Sequence, residues 1–108
     1  MHSFVSLPVV ETFVPMMERR HVSEVARSPR GFLAAYREAQ GRKSRLSPAW
    51  LARREGFISR HMAQVIANDE SLFDYRGQPT RRHLALLAWA YSPQPAKVAV
   101  LGRRLREG

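Results

Sequence analysis

Thr80-Arg81-Arg82-His83 opens an apolar run, and threonine in that place reads as a helix N-cap. Two cations then fall on the first turn, where the positive end of the helix dipole penalises each by about a few tenths of a kcal/mol. A helix N-terminus bearing two guanidinium groups suits an anion. Arg81, Arg82 and His83 are therefore candidate phosphate contacts. Arg30, beside Pro29, repeats the arrangement on a smaller scale. The competing partner is internal, because Glu55, Asp69, Glu70 and Asp74 lie close enough in sequence to pair with these arginines.

A second pattern lies between residues 48 and 67. Arg53, Gly56, Arg60 and Gln64 recur at i, i+3, i+7 and i+11, which puts them on one helical stripe. Arg and Gln are the side chains that read guanine and adenine edges in a major groove. The same stripe also suits a plain solvated face. Arg42, Lys43 and Arg45 fall in an inter-helix loop and extend the candidate phosphate contacts. Arg103, Arg104 and Arg106 need only the favourable C-terminal end of a last helix.

Other chemistry is thinly represented. His2, His21, His61 and His83 have no i, i+3 or i, i+4 spacing, so no metal site is expected. Asp69, Glu70 and Asp74 share one short loop, an arrangement that solvation or nearby arginines explain. GxSxG and phosphate-binding Gly-rich patterns are missing, and no cofactor is expected. A small nuclease using His61 or His83 with Arg is a third possibility. There is no cysteine, so thiolate chemistry and disulfides are excluded.

Charge gives the arginines their weight. Eighteen basic residues, all but two of them Arg, oppose nine acidic ones, for a net charge of +9. Guanidinium grips phosphate or carboxylate through two parallel bonds, which ammonium cannot do. A G+C-rich genome also raises Arg content. Position therefore matters more than number. Residues 1–26 carry net −1, 27–68 net +7, 69–79 net −2 and 80–108 net +5. Two basic blocks thus flank a short acidic loop.

The elements that must hold these residues are helical. Ser28-Pro29 and Ser47-Pro48 combine an N-cap with a first-turn proline. They predict helices over 29–40, stopped at Gly41, and over 48–67, stopped at Asn68, with Gly56 a possible break. The inward stripe of the second is Leu51, Ile58, Met62 and Val65, widened by Trp50, Phe57 and Ile66. Residues 69–79 read as a loop pinned by Leu72, Phe73 and Tyr75. A central buried helix is expected over 81–91 and a last one over 96–106, with Val98, Leu101 and Leu105 inward. Residues 1–14 are expected to be extended, and Pro15 to start a short helix ending near Val25.

The expected fold is all-α, a compact bundle of four or five helices with an extended apolar N-terminal arm. Residues 1–26 form the arm and short helix, and 27–108 the basic helical body. The longest apolar run, Leu84 to Tyr91, is too short to cross a membrane. The N-terminal apolar stretch lacks a basic start and is broken by Pro8, Glu11 and Pro15, so a cytoplasmic protein is expected. Two functions fit. One is binding of nucleic acid, DNA or RNA, through Arg-bearing helix starts and the Arg/Gln stripe. The other is docking on an acidic protein surface, with a homodimer through residues 1–14 as one form.

Overall fold

A computed structural model covers residues 1–108, and it is all-helical. Five helices follow one another: α1 Leu7–Arg19, α2 Phe32–Glu38, α3 Pro48–Ala67, α4 Arg81–Leu87 and α5 Pro95–Glu107. One 3₁₀ turn at Lys43–Arg45 leads into α3. The only β feature is an isolated antiparallel bridge between Phe73 and Pro79, which closes the loop after α3. No helix is long and apolar enough to cross a membrane.

Helix α3 begins and ends where its signals lie. Ser47 Oγ accepts from the Trp50 N–H at 3.1 Å, Pro48 takes the first turn, and the helix stops at Asn68. Gly56 does not break it. Helix α2 is shorter than expected, and Gly31 supplies the reason. A Cβ there would stand 2.3 Å from the Val25 carbonyl oxygen and 2.4 Å from that of Ala26. The chain must pass this crossing before it can coil, so Pro29 and Arg30 stay in the preceding turn. Helix α4 ends at Leu87 rather than Tyr91. Ala90 takes a left-handed φ of 57°, and the Tyr91 N–H returns to the Leu86 carbonyl at 3.1 Å.

The N-terminal segment departs from expectation. Residues 7–19 form α1, with Pro8 in its first turn and Pro15 inside it. Pro15 removes one backbone bond but lies on the exposed side, while Val9, Val10, Phe13, Val14 and Met17 are buried. Only residues 1–6 remain outside the helix, as a strap against the bundle. The Val5 N–H donates to the Ala90 carbonyl at 2.7 Å, and Tyr36 Oη donates to the Val5 carbonyl at 2.8 Å. Val5 and the inner face of α1 are thus buried within one chain, with Phe4 and Leu7 partly so. Packing across the bundle, the alternative to packing on another chain, covers most of the segment's apolar side chains.

One hydrophobic core joins α1, α2, α4 and α5 and draws on residues from Val5 to Val98. Helix α4 is its centre: Leu84, Leu86, Leu87 and Ala88 are inaccessible. The buried face of helix α3 holds Ile58, Val65 and an unexpected member, the fully buried Arg54. Val65 forms a small second cluster with Leu72 and Leu86. Three expected anchors are exposed instead. Ile66 and Tyr75 are open to solvent and Leu105 is only half covered, because neighbouring elements stop short of them.

Candidate functional site

Arginines in this fold divide into those already engaged and those left free. Arg54 is the most deeply engaged. Its Nε donates to the Trp89 carbonyl at 2.7 Å, Nη1 to that of His2 at 3.1 Å, and Nη2 to those of Ser3 and Ala90 at 2.6 and 2.9 Å. The guanidinium lies 3.6 Å from the Phe4 ring centroid. Burial lowers its pKa to about 10, so it remains charged at neutral pH. Beside it, Glu55 pairs with the backbone and ring of His2. Burial pushes the Glu55 carboxyl up, but His2 and Arg54 together hold it below the usual range.

The pair at the head of α4 is also engaged internally. Arg82 grips Glu70 with Nε at 2.9 Å and Nη2 at 3.0 Å, and its Nη1 donates to His61 Nδ1 at 2.9 Å. Its bonds to Glu70 keep that carboxyl low and raise the guanidinium pKa in turn. Arg81 donates to the Arg20 and His21 carbonyls at 2.6 and 3.0 Å, just past the end of α1. Those carbonyls sit at the negative end of that helix dipole, so they compensate Arg81. A shallow cleft of about 400 Å³ does open here, lined by His61, Glu70, Arg81 and Arg82.

His83 is not available to any ligand, a correction to its expected role as a phosphate contact. It is fully buried, and burial lowers its pKa. The Leu72 carbonyl, at 2.8 Å, accepts from Nδ1, which leaves Nε2 to accept from the Ser92 hydroxyl at 2.8 Å. Ser92 Oγ in turn accepts from the Gln94 N–H at 3.0 Å. The dyad lines none of the clefts. His61 and His83 therefore serve different partners. Burial, then Arg82 and Arg60, hold His61 below the ordinary histidine range. No three His, Asp or Glu side chains converge on a metal position.

The α3 stripe has the opposite character. Arg53, Arg60 and Gln64 are exposed, and none has a hydrogen-bonding side-chain partner. Arg53 and Arg60 flank Gly56 above a notch of about 250 Å³ whose floor is Phe57 and Trp89. The Arg60 guanidinium folds back over the missing side chain, its Nη1 3.2 Å from where a Cβ would stand. Arg53 lies 4.3 Å from the Trp50 ring centroid. Underneath, His61, Phe57 and Trp89 stack in succession at 4.1 and 4.8 Å. The only acid in α3, Glu55, is turned to His2 on another side.

The turn leading into α3 extends this face. Arg42 and Lys43 are exposed without an acidic partner, and Arg45 donates only to the neutral Gln40 Oε1 at 2.8 Å. Arg45 and Trp50 share a further small cleft, with Glu38 on its wall. Arg30 is exposed and unpaired but stands in the turn before α2. Sequence reasoning missed Arg54 altogether. Its signal was its place in the apolar stripe of α3, midway between Leu51 and Ile58. No protein family, characterised protein or solved structure is significantly similar to this chain.

Proposed function

We propose that the chain binds nucleic acid in the cytoplasm through the outer face of α3, with Arg53 and Arg60 on phosphates and Gln64 beside them. Arg42, Lys43 and Arg45 extend the contact at the N-terminal end of the same helix. The observation that carries this reading is the uncompensated charge of that face. Arg54 and Arg82 are consumed by the fold, whereas Arg53 and Arg60 flank an open notch with no acid to neutralise them. An unpaired guanidinium pair, one of them over the Trp50 ring, suits a polyanion, because phosphate accepts two parallel bonds from each.

The test is the salt dependence of oligonucleotide binding. Each phosphate contact adds about 0.7–0.9 to the slope of log affinity against log salt. Replacing Arg53 and Arg60 together by Gln is expected to lower that slope by about 1.4–1.8 and leave the thermal melt unchanged. An unchanged slope would refute the assignment. Equal affinity for polyglutamate and for an oligonucleotide of matched charge would favour an acidic protein surface as the partner.

A further inference from the structure

A second cleft, of about 610 Å³, lies between the loop after α3 and the outer face of α5. Its walls carry Arg76, Lys97 and Arg104, and no acidic side chain lines it. None of the three cations is ion-paired: Arg76 Nε donates to Tyr75 Oη, Lys97 lies 4.2 Å from the Phe73 ring centroid, and Arg104 has no side-chain partner. Phe73 and Leu101 give the cleft an apolar floor. Gln78 lines it too, and Gln78 Oε1 is the one buried side-chain polar atom in the protein without a hydrogen-bond partner.

An orphaned buried acceptor costs about 1–3 kcal/mol, so an N–H brought to it by a ligand is favoured. The terminal torsion of glutamine is broad, and its amide offers both an acceptor and donors to an edge of matching polarity. Three cations at the rim call for a dianion such as a phosphate monoester. The floor calls for a flat apolar body, and Oε1 for an amino or imino edge on that body. A volume in the few-hundred Å³ range matches a small ligand.

We infer that this cleft binds a nucleoside monophosphate, its phosphate among Arg76, Lys97 and Arg104 and its base edge on Gln78. The ligand is either a free nucleotide or the 5′-phosphorylated end of a strand. The cleft uses none of the α3 residues, so it stands or falls separately from that face.

The experiment titrates the full chain with AMP, adenosine, ribose 5-phosphate and inorganic phosphate, followed by amide chemical shifts. AMP is expected to perturb Phe73, Gln78 and α5, and to bind about tenfold more tightly than ribose 5-phosphate or adenosine. Changing Lys97 and Arg104 together to Gln should remove most AMP binding, with an unchanged melt as the folding control. Gln78→Ala should weaken AMP binding and leave the affinity for ribose 5-phosphate unchanged. The variant lacking Arg53 and Arg60 should bind AMP normally. Tighter binding of a 5′-phosphorylated than a 5′-hydroxyl oligonucleotide, lost in the Lys97/Arg104 variant, would identify the strand end as the source. Equal affinity for AMP and inorganic phosphate, or shifts outside the cleft, would overturn the inference.

Discussion

Arg54 shows how far one side chain can be committed to structure. Its guanidinium supplies donors to carbonyls at the end of α4 and in the N-terminal strap, two segments separated by most of the chain. Removing it leaves the Trp89, His2 and Ser3 carbonyls unpaired, while Ala90 keeps the Val5 N–H, and opens a cavity as well. Arg54→Ala is expected to destabilise the protein by about 3–5 kcal/mol, measured by urea unfolding. Arg54→Lys should recover only part of this, since an ammonium cannot bridge the same fork of acceptors. A loss below 1 kcal/mol for the alanine variant would mean that the strap is held by other contacts. Arg82 and His83 teach the same lesson for the expected anion site: type and position pointed to an external partner, while Glu70, Leu72 and Ser92 had already taken the polar atoms.

At the scale of elements, what could be read in the sequence followed the strength of local chemistry. Helix α3 was legible because cap, first-turn proline and stop all act within a few residues. Most of helix α1 falls in a segment expected to be extended, although Pro8 suits a first turn and Val9, Val10, Phe13, Val14 and Met17 share a helical face. Only Pro15 argues against a helix locally, and tertiary burial of Phe13 and its neighbours outweighs it. The short α2 depended on a crossing at Gly31 that no local pattern announces. The candidate face on α3 was legible for the same reason as its helix: Arg53, Arg60 and Gln64 share a period. Two variants check these assignments. Phe13→Ala is expected to cost about 3–5 kcal/mol in an unfolding titration, whereas a solvent-exposed arm would lose almost nothing. Gly56→Ala should gain about 0.5–1 kcal/mol in helix stability. The new methyl displaces only the mobile tip of Arg60, so a lower melting temperature would show that Gly56 is needed for packing.

For the molecule as a whole, the buried imidazoles set a response to acid. Burial holds His83 below the ordinary histidine value in the fold, so the unfolded chain takes up its proton first. The stabilisation is therefore complete above about pH 6.5 and declines as the pH falls through the window beneath it. The melting temperature should therefore be lower at about pH 5.5 than at about pH 7.5. His83→Gln should flatten the difference even if it lowers both values, and an undiminished difference would exclude His83 as its source. The strap and α1 carry a different consequence, one of timing. Residues 1–19 leave the ribosome before their partners Arg54, Ala90 and α5, and Arg106 donates to Thr12 across 94 positions of chain. Helix α1 must therefore wait, apolar and uncovered, until α5 emerges. Closure is a late and long-range event here, which slows folding relative to bundles whose helices pair with their sequence neighbours.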